Sequence, residues 1–314
     1  MPSVGSLSKP DAYRPRRRLP CPVPPFHHET FASYVRRLEI ANGLPADRTG
    51  ANLDIKPGDN AAEVLSALTG RPAASLRYAL PQLATADRRI APLLRGEPTQ
   101  AHGACQLCCR RAGIAQDVRR WVTHEEIVCL HHRRWLGGSL DETTQQLGLA
   151  GHPDVLAAWR RHRNLITRRG RTAVHDVYET SARIVSDWHH QNRPLPAVTA
   201  RLDSLRAGRP CAYLDPAVHA AHYPAAVALT SLLTSPHWRH LAFNADDGRV
   251  RQFLQRVADT VTDGYYPTGG QDPLRHHLNT GVAGLRVLPS RIHLDPAPRS
   301  AVADGARRGN GLNG

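Results

Sequence analysis

Lysine is nearly missing from this chain: Lys9 and Lys56 are the only two, so the positive charge is carried almost wholly by arginine. Aromatic residues make up 5% of the sequence and methionine occurs once, which leaves the core to aliphatic side chains. No apolar run is long enough to span a bilayer; the most apolar stretch, Ala225 to Leu233, is short and carries Thr230 and Ser231. The opening stretch, MPSVGSLSKPDAYRPRRRLP, lacks the apolar segment of a secretory leader. These shortages predict a soluble, cytoplasmic protein with no membrane partner.

Catalytic signatures are also missing. No G-x-x-x-x-G-K-[ST] occurs, so the chain is not expected to hydrolyse ATP itself. Neither G-x-S-x-G nor H-E-x-x-H nor H-x-E…P-C-x-x-C is present. Asp246-Asp247 reads as a helix start rather than a two-metal site. The expectation is a protein that is not an enzyme. The six cysteines do not form a spread-out disulfide framework, because four of them fall between Cys105 and Cys129.

That clustering is the strongest positive signal. Cys105 and Cys108 form a C-x2-C knuckle, and Cys129 and His132 form a C-x2-H knuckle. The loop between them has the length that zinc sites use between ligand pairs. Three thiolates and an imidazole make a closed tetrahedral set suited to one structural Zn²⁺. A redox C-x-x-C, a disulfide pair and a catalytic zinc with an open position are the competing readings. Cys109 and His131 crowd the site. A helix over Cys129 to Leu136 would put Cys129, His132 and Leu136 on one face and turn His131 and Arg134 away, leaving His132 as ligand.

The formal net charge is +14. A GC-rich coding sequence also yields an arginine-rich, lysine-poor chain, but it does not unbalance acids against bases. Such an excess suits a polyanion, and double-stranded DNA is the expected partner. Around the knuckles Arg110, Arg111, Arg119, Arg120, Arg133 and Arg134 outnumber Asp117, Glu125 and Glu126, and they are the candidate DNA contacts.

Hydrophobic periodicity predicts a mainly α fold. A basic arm (1–24), read as disordered, precedes a helical N-terminal domain (25–100). A small zinc-ribbon or zinc-finger unit follows (101–150), then a helical C-terminal domain (151–294) and a disordered tail (295–314). Phe31, Tyr34, Val35, Leu38 and Ala41 form the stripe of a first helix, with Glu29 at its positive end and Arg36 and Arg37 off the stripe. Asn60 and Glu63 have capping-box spacing, and Gly70-Arg71-Pro72 separates two short helices in the manner of a helix-turn-helix. Ser75, Arg77 and Tyr78 would then face DNA. Thr85 to Arg95 reads as one more helix, and Val118 to Thr123 as a strand. Beyond Gly151, helices are expected over 153–167, 172–190, 195–205 and 218–241, the last broken at Pro224. A final one covers 249–261. Trp159, Trp188 and Trp238 fall in apolar segments and read as core.

The segment Glu29-Thr30-Phe31-x-Ser33-Tyr34-Val35-x-Arg37-Leu38 resembles the opening Glu-Ser-Leu-x-Ser-Trp-Leu-x-Arg-Leu pattern of the TniQ family. In that family, which includes TnsD-type proteins, a small helical region and a C-x2-C…C-x2-H unit come next. Here those ligands fall on Cys105, Cys108, Cys129 and His132, with Trp121 between the knuckles, Leu136 after them and an Arg/His-rich helix beyond. The likeness extends over residues 22–170. It implies an accessory protein of Tn7-like transposition that helps select the target and recruits an AAA+ ATPase. A homodimer is compatible with it. The alternative is a stand-alone zinc and helix-turn-helix transcription regulator.

Overall fold

The computed structural model describes residues 17–44, 53, 55, 58, 60–83, 99–137, 146–208 and 215–285. The first sixteen residues of the basic arm, the helix expected at Thr85 to Arg95, Cys211 and the tail from Asp295 lie outside the described residues. The fold is mainly helical, with two small antiparallel sheets between an N-terminal and a C-terminal group of helices.

Helix α1 (Phe31–Ala41) starts at Thr30, whose Oγ1 accepts from the Ser33 N–H at 3.3 Å. Phe31, Tyr34, Val35 and Leu38 are buried along one face, and the chain leaves the helix through Gly43 at φ +67°. Arg37 lies off that stripe and is nevertheless buried, because Glu29, just before the N-cap Thr30, pairs with it. Helices α2 (Ala61–Thr69) and α3 (Ala73–Ala79) form a hairpin whose turn needs Gly70 in the left-handed region, φ +70°. The expected capping box is not made. Asn60 makes no side-chain capping bond, and Glu63 pairs instead with Arg77 across the hairpin. Leu65, Leu76 and Leu80 pack under α1 in one apolar cluster.

Strand β1 (Thr99–Gly103) pairs antiparallel with β2 (Arg119–Thr123), with the short helix α4 (Gln106–Arg111) between them. The segment before α1 joins this pair: Trp121 donates its N–H to the His28 carbonyl at 2.7 Å, and Thr30 donates to Arg119 at 2.8 Å. A second sheet, in the order β3-β4-β5, follows from β3 (Val128–Cys129), β4 (Arg134–Trp135) and β5 (Leu147–Gly148). The helix expected over Cys129 to Leu136 is therefore a strand-turn-strand. Arg133 takes φ +47°, a left-handed residue that tightens the turn and lets Val128 pair with Trp135 in the core.

Helix α5 (Pro153–Arg169) opens on Pro153 and meets α6 (Arg171–His190) at Gly170, φ +85°. Helix α7 (Pro196–Arg206) follows. Helix α8 (Pro216–Leu233), capped by Asp215, is the centre of the C-terminal core and is buried along nearly its whole length. It packs on α5, α6 and α7. Pro224 does not break it, contrary to the reading above. The lost N–H bond costs about 3 kcal/mol in an exposed helix, and burial of Ala220, Tyr223, Val227 and Leu229 around it outweighs that. The break comes at Thr234–Ser235, before α9 (Pro236–Ala242). Nor is α10 (Asp247–Thr260) the final helix, since α11 (Pro273–Leu285) follows it. Trp188 anchors that end: its Nε1 donates to the buried Asp272 carboxylate at 3.1 Å, which also accepts from the Tyr265 hydroxyl at 2.7 Å. Trp159 and Trp238 are half-buried against the same core.

Candidate metal centre

The two knuckles meet at one point. Cys105 lies at the start of α4 and Cys108 one turn along it, while Cys129 ends β3 and His132 lies in the turn before β4. The four ligand atoms all lie within 4.8 Å of one another, and they form the one such cluster of three or more His, Cys, Asp or Glu among the described residues. Cys108 Sγ is 3.8 Å from Cys129 Sγ and 3.2 Å from His132 Nδ1. His132 Nδ1 is 3.5 Å from Cys105 Sγ and 3.8 Å from Cys129 Sγ. With metal–sulfur bonds of about 2.3 Å and metal–nitrogen bonds of about 2.0 Å, a tetrahedron sets sulfurs about 3.8 Å apart and sulfur–nitrogen pairs about 3.5 Å apart. The separations of 3.2–3.8 Å are close to those values, so the cluster is able to hold a metal ion.

Burial, reinforced by the neighbouring thiols of Cys129 and Cys105, pushes the Cys108 thiol up to about 12, and Cys129 is raised as well, chiefly by burial. A cation among the sulfurs reverses that cost by stabilising the thiolates. Cys109 stands apart. It is buried with Ala104 and Val118 in a small apolar cluster, and burial pushes its thiol up to about 11. His131 is exposed, and its Nε2 lies 2.9 Å from Arg111 Nη1, linking α4 to the knuckle turn. The ligand set read from spacing is thus the one the fold assembles, although the helix invoked to choose it is not formed.

The arginines around the cluster occupy different surroundings. Arg110, Arg111 and Arg133 are exposed. Arg119 and Arg120 are half-buried on β2, where Arg120 Nε donates to the His27 carbonyl at 2.8 Å. Arg134 does not turn freely away. Its Nη1 donates to the Gln146 carbonyl at 2.7 Å and ties β4 to the residue before β5. On the α2–α3 hairpin Ser75 and Tyr78 are exposed, Tyr78 to 62%, while Arg77 is held by Glu63.

Two buried polar groups brace the centre. Glu29 and Arg37 are 0% and 2% exposed and form a two-pronged pair, Arg37 Nε to Oε1 at 2.8 Å and Nη2 to Oε2 at 2.6 Å. Ser33 Oγ donates to Glu29 and in turn accepts the Arg119 backbone N–H at 3.0 Å, so this pair is bonded directly to β2. On the other side Glu125 follows β2. Its carbonyl accepts from Trp159 Nε1 at 2.8 Å, and its carboxylate from Arg171 Nε at 3.0 Å, clamping α5 and α6 to the sheet. Beside it, His124 sits 5.0 Å from the ring of His162 and 4.8 Å from that of His175. Burial lowers His124 to about 4 and His162 to about 3, so both are neutral near pH 7. Sequence reading missed both features, since the partners are far apart in the chain and lone histidines carry no spacing signal.

Among the described residues no helix is long and apolar enough to cross a membrane. No family model, curated protein or solved structure matches the chain. What stands at this point is a mainly helical protein with a Cys3His cluster, Cys105, Cys108, Cys129 and His132, able to hold a metal ion.

Proposed function

We propose that this chain is a zinc-stabilised DNA-binding adaptor of the TniQ type, helping target selection in Tn7-like transposition. In this reading it links DNA, or a targeting complex, to an AAA+ transposition ATPase. The observation that carries the reading is the bonding of the Glu29–Leu38 segment to the Cys3His unit. The residues that resemble the TniQ pattern, Glu29, Ser33 and Arg37, are those that join α1 to β2. A motif of that kind keeps a helix and a zinc knuckle in fixed relation.

In this reading Cys105, Cys108, Cys129 and His132 hold one zinc ion, whose contribution is cross-linking and not catalysis, because four protein ligands leave no position for substrate. The basic excess supplies affinity for phosphate, and the arginines near the knuckles set the protein's position on the duplex. The exposed Ser75 and Tyr78 on α3 favour a second reading, a transcription regulator that reads DNA through the α2–α3 hairpin.

Affinity purification of the full chain from its native host tests the choice. An AAA+ ATPase that co-purifies, together with salt-sensitive binding to duplex DNA by the purified chain, is expected of the adaptor. Specific binding to a promoter-like duplex without an ATPase would support the regulator and overturn the adaptor.

A further inference from the structure

Helix α5 carries a cationic arc with no acid of the same helix beside it. At about 100° per residue, Arg160, Arg163, Asn164, Thr167 and Arg168 fall within an arc of about 140°, and all five are exposed. The opposite side places Val155, Ala158 and His162 in the core, while Leu156, one turn before Arg160 on the arc's own side, is buried as well. The helix contains a single acid, Asp154, which lies in the first turn and is paired with Arg201 at 2.6 Å.

Ordinary explanations account for part of the charge. Arg168 and Arg169 lie in the last turn, where cations complement the helix dipole. Arg161 borders a cavity of about 270 Å³ that it shares with Asp154 and Asp263. Neither account covers Arg160 and Arg163. They are three residues apart, so they repel each other, and neither has an acid three or four residues away. The exposed arginines of α10 differ: Arg249 Nε lies 3.8 Å from Asp246, and Asp247 and Asp259 share that helix. Arg163 also lies over the Trp159 ring at 5.4 Å and lines a cleft of about 430 Å³ with Arg120, Leu130, Cys105, Cys108 and Glu126, whose carboxylate accepts the Thr123 N–H at 3.0 Å. The arc therefore runs from the C-terminal end of α5 to the lip of the metal knuckles.

We propose that this arc, Arg160, Arg163 and Arg168 with Asn164 and Thr167 between them, is a surface that holds the phosphate backbone of duplex DNA, beside the arginines near the knuckles. The proposal rests on the DNA-binding reading above and names its contact face. The span from Arg160 to Arg168 is about 12 Å along the helix. Each guanidinium presents a fork to phosphate oxygens, and the amide and hydroxyl between them add neutral hydrogen bonds. Contacts of this kind fix position on the duplex without reading bases.

The test is a titration of full-length protein with a labelled DNA duplex at several salt concentrations. Wild type is compared with R160Q/R163Q/R168Q, with the charge-preserving R160K/R163K/R168K, and with R249Q/R251Q/R256Q on α10. The α5 glutamine variant should keep its melting temperature, bind more weakly, and show a log-affinity against log-salt slope shallower by roughly 2.7 units for three lost phosphate contacts. The lysine variant and the α10 variant should keep slopes close to wild type. Wild-type affinity and slope in the α5 glutamine variant would overturn this surface while leaving DNA binding intact. An equal loss in the α10 variant would overturn it too, since charge anywhere would then suffice. Wild-type protein that binds no duplex at low salt would remove the DNA-binding reading itself, and this surface with it.

Discussion

Arg37→Met tests how the first helix is held against the metal unit. In the native fold the Glu29 carboxylate is fully buried and accepts from Arg37, from Ser33 Oγ at 2.8 Å and from the Phe26 N–H at 2.9 Å. Removing the guanidinium leaves that carboxylate in the interior without its counter-charge, and it also frees the Pro24 carbonyl, which Arg37 Nη2 binds at 2.9 Å. Breaking one side of a buried ion pair costs about 3–5 kcal/mol, far more than a surface pair, which is worth up to about 1 kcal/mol. The methionine stem recovers some packing, so the lower half of that range is expected. Glu29→Met combined with Arg37→Met should lose less than Arg37→Met alone, because no uncompensated charge remains. Urea unfolding followed by circular dichroism measures each variant. A loss below about 1 kcal/mol for Arg37→Met, or a double variant worse than the sum of the singles, would refute this account of the pair.

Two further expectations come from neighbouring groups. His124, His162 and His222 are held by burial at about 4, 3 and 3, below the ordinary histidine value of 6.5. Below pH 6.5 the unfolded chain therefore binds more protons than the native one, and stability should fall as pH drops from 6.5 toward about 4. Urea melts at half-unit steps check this, and a flat profile from pH 7 to 4.5 would contradict it. Arg134→Ala removes the bond to the Gln146 carbonyl and should destabilise the protein by about 1 kcal/mol. An unchanged melting temperature would mean that this bond is not formed in solution.

Much of the helical layout was legible because apolar residues recur at helical spacing in α1, α5, α6 and α10. The ligand set was legible because C-x2-C and C-x2-H spacings bring two side chains to one point whatever the backbone between them does. The reasoning from a helix at Cys129 to Leu136 failed for the same cause. Eight residues of this kind are compatible with helix or hairpin, and the choice fell to Val128 and Trp135, which are buried together as paired strands. Pro224 misled because its local cost is visible in sequence, whereas the burial that offsets it comes from α5, α6 and α7. The burial of Arg37 was not legible from its place off the stripe, since it depends on a pairing with Glu29 outside the helix. No residue pattern announced the Glu125 clamp, whose partners, Trp159 and Arg171, are 34 and 46 residues away.

Metal content by inductively coupled plasma mass spectrometry, on wild type and two single variants purified without added metal, tests the Cys3His centre most directly. Wild type should carry about one zinc per chain. Cys109→Ser should keep it, because that thiol packs against Ala104 and Val118, outside the cluster. Cys129→Ser should lose it and unfold the central unit, since a structural zinc contributes on the order of 10 kcal/mol or more to folding. Wild-type protein free of zinc yet fully folded would contradict the account, as would a Cys109→Ser variant that loses the metal while Cys129→Ser retains it.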